Sequence, residues 1–134
     1  MTPLRTAVIG VGHLGYHHAR LYRSMADATL VGVVDTDRER AAKVAEEFET
    51  QAFASVKDVL GAGIDAASVV VPTRAHRDTT IELLSAGADV LVEKPIATSA
   101  SEASEMIEAA RSAGKVLQVG HVERFNGAVI ALLG

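Results

Sequence analysis

Leu4-Arg-Thr-Ala-Val-Ile-Gly-Val-Gly-His-Leu-Gly15 opens the chain with a strand-like run that stops on a cluster of glycines. Leu4–Ile9 is rich in β-branched and apolar residues, as a buried strand requires. The next six residues, Gly10-Val-Gly12-His-Leu-Gly15, spell G-x-G-x-x-G, and the pattern behind them is helical. Strand, glycine turn and helix in that order form a cradle for a diphosphate. Gly10 permits the tight turn, Gly12 has no Cβ to keep a pyrophosphate off the backbone, and Gly15 lets the helix close on the sheet. The amides of His13 and Leu14 then point at the phosphates, helped by the positive end of the helix. An ordinary glycine-rich turn has the same letters, and the flanking strand and helix set this one apart.

Outward from that motif, short apolar runs alternate with helical stretches. Further strands are expected at Leu30–Val34, Ala66–Val71, Asp89–Val92 and Val116–Val119, with a weak one at Gln51–Ala54. The strong runs are nearly continuous, which suits parallel strands covered on both faces. In the first helix Leu14, His18, Leu21 and Met25 form one stripe, read as the inward face. In the second, Ala41, Val44, Ala45 and Phe48 share a face behind an Asp37 N-cap. Ser55 and Asp58 start a short helix that ends near Gly61. Thr73 is read as the cap of a helix carrying His76, Thr80, Leu83 and Leu84, closed by Gly87. Ser99 and Glu102 open another, with Ala103, Met106, Ile107 and Ala110 inward and Gly114 past its end. Asn126–Leu133 begins one more. Alternating strands and helices with right-handed crossovers give an α/β fold, a doubly wound parallel sheet of about six strands of the Rossmann type.

Bulk properties narrow the function. Nearly half of the 134 residues are apolar, 22% are charged and the net charge is −4. Disorder is excluded on composition, and the mild acidity argues against a nucleic-acid partner, which would require a basic face. With no cysteine, disulfides and thiolate metal sites are out of reach. No apolar run approaches the ~20 residues of a membrane helix, and the N-terminus is too Gly-rich for a signal peptide, so the expectation is a cytoplasmic protein without a membrane partner. His13, His17 and His18 do not converge on one helix face, so no metal site is expected from them.

Asp35 ends the second strand, twenty residues past Gly15. A carboxylate there accepts hydrogen bonds from the adenosine ribose hydroxyls and repels a 2′-phosphate. The coenzyme expected is therefore NAD rather than NADP, with Arg38 near enough to relieve part of the repulsion. Ligands of an open α/β sheet lie outside the carboxyl ends of its strands. Three segments fall there: Val71-Pro72-Thr73 leading to His76, Glu93-Lys94-Pro95, and Gly120-His121 followed by Glu123-Arg124-Phe125-Asn126.

Taken together, GVGHLG, the acid at Asp35, VPTRAH, VEKP and GHVERFN resemble the Gfo/Idh/MocA oxidoreductases in order and spacing, over essentially the whole chain. The stretch QVGHVERFNGAV, Gln118–Val129, is most similar to members that oxidise UDP-N-acetyl-sugars, the UDP-N-acetylglucosamine 3-dehydrogenases. The resemblance implies hydride exchange between the carbinol of a sugar or sugar nucleotide and NAD(P). It makes Lys94 the acid/base lysine. Such a group must take the hydroxyl proton as hydride leaves, and when protonated it polarises a carbonyl. It also implies that Glu93 touches the nicotinamide ribose and that a cis Lys94–Pro95 bond turns the lysine into the cleft. His76 has two readings, near the cofactor ribose or substrate, or a satisfied histidine at a helix start. His121 and Arg124 are candidates for the substrate, with structural roles equally open. Members of this family carry a second α/β domain that completes the sugar pocket and assemble as homo-oligomers. Residues 1–120 are thus read as the dinucleotide domain, and 121–134 as the start of the connection to a C-terminal substrate domain that this chain lacks. The rival reading is a non-catalytic NAD(H)-binding or redox-sensing module.

Overall fold

The computed structural model describes residues 2–121 and 126–133. The chain runs β1 (Leu4–Ile9), α1 (His13–Ser24), β2 (Ala28–Val34), α2 (Arg38–Glu47), β3 (Gln51–Phe53), α3 (Val56–Gly61) and β4 (Ala66–Val69). A 3-10 turn (Thr73–Ala75) then leads into α4 (His76–Ser85), β5 (Asp89–Glu93), α5 (Ala100–Ala113), β6 (Leu117–Gly120) and α6 (Gly127–Leu133). The six strands form one sheet in the order β3-β2-β1-β4-β5-β6, and every neighbouring pair is parallel. Consecutive strands step away from β1 to one edge and then return to build the other half, so the order reverses between β1 and β4. A crevice opens at such a reversal, at the carboxyl ends of the strands.

Each face of the sheet has its own core. On one, Ala7, Ile9, Val69 and Val92 pack with Val59 of α3, Leu83 and Leu84 of α4, and Met106 and Ala110 of α5. On the other, Val8 and Val33 pack with Ala19 of α1, Ala41, Val44 and Ala45 of α2, and Phe48. Caps fix the helix starts. The Asp37 side chain accepts from Arg40 N–H, Ser55 from Asp58 N–H and Ser99 from Glu102 N–H. Gly114 ends α5 in the left-handed conformation. No helix of the described residues is long and apolar enough to cross a membrane.

Three expectations are corrected. The stripe of Leu14, Leu21 and Met25 on α1 is exposed, and the residues it buries are Gly15 and Ala19. The helix meets the sheet most closely at Gly15, where a Cβ would strike the Gly10 carbonyl, with Tyr16 and Tyr22 packed at the flanks of the core. Thr73 does not cap α4: it begins the 3-10 turn, and no side chain caps the helix. Ile107 points outward from α5, because Met106 and Ala110 already fill the inward positions.

Candidate functional site

The turn after β1 is fixed by its neighbours on both sides. Gly10 has φ +92, a backbone angle that L side chains rarely adopt, and a Cβ there would strike the Val70 carbonyl on β4's extension. A Cβ on Gly15 would collide with the Gly10 carbonyl oxygen and stand 2.8 Å from its carbon. These two glycines are therefore demanded by the fold. Gly12 is different. A Cβ there would meet only Arg40 Nη1, at 3.9 Å, so the protein leaves the space over it open. Gly12 O accepts the first helical bond, from Tyr16 N–H at 2.9 Å, which leaves the amides of His13 and Leu14 without an intrahelical acceptor.

Asp35 is buried at the end of β2, and its carboxylate ties the turn to the second strand. Val11 N–H donates to Oδ2 at 2.8 Å and Asp37 N–H to Oδ1 at 2.8 Å. A carboxylate offers about four acceptor positions, so lone pairs remain for hydroxyls. The guanidinium beside Asp35 is that of Arg40, not of Arg38, with Nη1 3.6 Å from Oδ2. A cleft of about 640 Å³ collects these groups: Gly10, Gly12, Asp35, Thr36 and Arg40 on one side, Val70, Val71, Pro72, Arg74 and Thr79 on the other. β4 stops at Val69, and the freed Val70 and Val71 supply that second wall.

His76 lies under this wall, 1% exposed. Its Nε2 is 2.9 Å from Val71 O, and its Nδ1 is 3.0 Å from Pro95 O and 3.2 Å from Ile96 O. Carbonyl oxygens thus face both ring nitrogens, of which a neutral imidazole can donate from only one, and the buried ring lies between the Val71 loop and the Pro95 loop.

Glu93 and Lys94 diverge at the end of β5. Lys94 is exposed, its peptide bond to Pro95 is cis, and no carboxylate pairs with it among the described residues. Glu93 turns to the α1 side of the sheet and is buried. Its Oε1 accepts from His18 Nε2 at 2.8 Å, while His18 Nδ1 lies 2.9 Å from Ser68 Oγ, itself 2.7 Å from Tyr22 OH. Burial pushes the Tyr22 phenol up, and the Ser68 hydrogen bond offsets part of that. Gly120, register partner of Glu93 on β6, makes room for the carboxylate: a Cβ there would stand 2.9 Å from Oε1. His121, exposed, shares an apolar groove with His18, Leu21, Met25, Leu91 and Glu93. Arg124 lies outside the described residues.

His18, expected on the inward stripe of α1, is the partner of a buried carboxylate seventy-five residues away. Replacing it by alanine leaves Glu93 buried without that partner. His18→Ala is expected to lower the unfolding free energy by about 2–4 kcal/mol in urea denaturation. Tyr22→Phe removes only the far end of the chain and should cost about 1 kcal/mol.

The comparisons with known proteins fit this geometry. A family model described as an oxidoreductase family with an NAD-binding Rossmann fold, Gfo/Idh/MocA, matches residues 4–121. UDP-N-acetylglucosamine 3-dehydrogenase of Acidithiobacillus ferrooxidans is 43% identical over 129 residues, 96% of this chain and 40% of that protein. Its solved structure superposes with a TM-score of 0.92 at 41% identity, covering 99% of this chain and 43% of the other. scyllo-Inositol 2-dehydrogenase (NAD(+)) of Bacillus subtilis is 38% identical over 93% of this chain and 37% of its own length. The WlbA dehydrogenase from Bordetella pertussis, solved with NADH and UDP-GlcNAcA, gives a TM-score of 0.90 at 28% identity over 96% of this chain and 38% of that one. The chain thus spans about two fifths of the length of these relatives. Sheet order, glycine cradle, strand-end acid and family model agree: this chain belongs to the Gfo/Idh/MocA oxidoreductase family and is its NAD-binding Rossmann domain.

Proposed function

We propose that this domain holds NAD for a dehydrogenase that oxidises a hydroxyl of a sugar or sugar nucleotide. The observation that carries the reading is the open space over Gly12. Two of the three cradle glycines are explained by packing, and the third has no protein neighbour that would need its Cβ gone. A pyrophosphate on the amides of His13 and Leu14, between Gly10 and Gly15, accounts for it. Asp35 then takes the adenosine ribose hydroxyls, and its charge favours NAD over NADP. Val71, Pro72 and Thr73 flank the nicotinamide half, with His76 behind them and Pro95 beside Lys94, while the Glu93 carboxylate, expected at the nicotinamide ribose, is engaged by His18. The names of the relatives, inositol and UDP-N-acetylglucosamine dehydrogenases, support a sugar-like hydroxyl as the substrate group.

When bound, the nicotinamide ring supplies the hydride acceptor. The chain's own contribution is the proton. Lys94 Nζ is the group proposed to take the proton of the substrate hydroxyl as hydride leaves its carbon, and to return it in the reverse direction. Val71 and Pro72 line the cleft beside Asp35. His121 and Arg124 stand after the last strand as substrate contacts. Residues 1–120 are the dinucleotide domain in this reading. Residues 121–134 begin the connection to a second domain that completes the substrate pocket, and the whole protein assembles as a homo-oligomer.

The test is a titration of the chain with NADH, read by fluorescence and calorimetry. Gly12→Ala is expected to weaken binding by about tenfold to hundredfold, as a methyl group displaces the diphosphate from its amides. Its melting temperature should stay near that of the parent, since the protein leaves room for the methyl. A parent chain that folds but binds neither pyridine coenzyme at millimolar concentration ends the proposal.

A further inference from the structure

His13 and His17 stand one turn apart at the start of α1, one exposed and the other half-buried. Among the described residues neither imidazole has a hydrogen-bond partner. The other histidines are placed elsewhere. Both ring nitrogens of His18 are engaged, by Ser68 and Glu93, and the buried ring of His76 lies among backbone carbonyls. His121 follows β6 at the edge of the sheet. The sequence expectation took the three histidines of α1 together and found no common face. His18 does turn away to the sheet, but His13 and His17 meet: their ring centroids are 5.1 Å apart, edge to face at 87°.

We propose that His13 and His17 form a two-imidazole clamp for a divalent transition-metal ion, zinc foremost, on the first turn of α1. A spacing of four residues is how one helix face presents two imidazoles to a zinc ion. Two imidazoles bound at about 2.0–2.1 Å to one tetrahedral ion hold their ring centroids about 5 Å apart, the separation already present here. A turn of the exposed His13 ring about its soft χ2 torsion aims the two nitrogens at one point. His13 also lines the hollow of about 540 Å³ between α1 and α2, which leaves room for the ion and its waters. That hollow carries three carboxylates, Asp37, Glu39 and Glu47, against the cations Arg40 and Lys43, a balance that suits a positive guest. The positive end of the helix opposes a cation by about two- to fivefold in affinity, and bonds from two imidazoles outweigh it. Magnesium and calcium, which prefer oxygen ligands, find no such match in a pair of nitrogens.

The experiment titrates the chain with zinc ion by calorimetry, with magnesium in parallel, and follows the melting temperature. One zinc ion per chain is expected at sub-millimolar concentration, with a rise in melting temperature because the folded helix holds the two rings together. His13→Gln and His17→Gln are each expected to weaken zinc at least tenfold and to cancel the rise, while His121→Gln leaves both unchanged. Either clamp variant with the affinity of the parent overturns the proposal, and so does a parent chain that takes up no zinc at millimolar concentration or binds magnesium equally well. No readout here uses the coenzyme, so failure of the clamp and failure of the NAD site are told apart.

Discussion

A Gly15→Ala chain is expected to be strongly destabilised, although it adds one methyl group to a helix that alanine would otherwise favour. The added carbon would fall on the carbonyl of Gly10, which cannot retreat because its own residue is pressed against the Val70 backbone. Helix α1 would have to lift off β1 and β4, opening the core around Val8, Ala19 and Val33. Intrinsic propensity favours alanine over glycine by about 1 kcal/mol in a helix interior. The clash and the loss of packing outweigh it, for a net cost on the order of 4 kcal/mol, a large share of a domain's typical stability. Chemical denaturation followed by circular dichroism reads this directly. A variant with an unchanged midpoint would mean that α1 does not lie where it is described. The contrast with Gly12→Ala is the informative part, since the same one-methyl change three residues earlier is expected to spare the fold and harm the ligand.

Lys94→Ala is expected to reduce turnover by about a thousandfold in a chain that also carries the second domain proposed above, while coenzyme still binds. The exposed amine makes no ion pair among the described residues, so its removal leaves no buried charge behind and should barely touch stability. The effect should fall on kcat, because the proton is moved in the transition state and not in the ground-state complex. Lys94→Arg keeps the charge but not the base, and is expected to be nearly as slow. Steady-state kinetics with retained binding of NADH checks both variants. Turnover within tenfold of the parent would assign the proton transfer to another group.

The strands and the cradle were legible because their signals are local. A β-branched run, a glycine at a fixed offset and a capping pair such as Ser99 and Glu102 each act within a few residues. The stripe on α1 was misread because amphipathic reading assumes that large apolar side chains go inward. Here the sheet is so near that the small pair Gly15 and Ala19, four residues apart, marks the buried face instead. That spacing was available in the sequence as a sign of close packing. Arg40 was passed over for Arg38 because the turn into α2, and not distance along the chain, decides which guanidinium reaches Asp35. The Glu93–His18 pair had no local signal at all: it spans α1 and β5 and exists only once the sheet is assembled.

The buried ring of His76 has a mechanical consequence. Lying between Val71 on one side and Pro95 with Ile96 on the other, it is in contact with two loops that leave different strands. A push on the wall beside Pro72 is thereby handed to the backbone next to Lys94. A ligand seated against the first loop is therefore expected to shift the second with it.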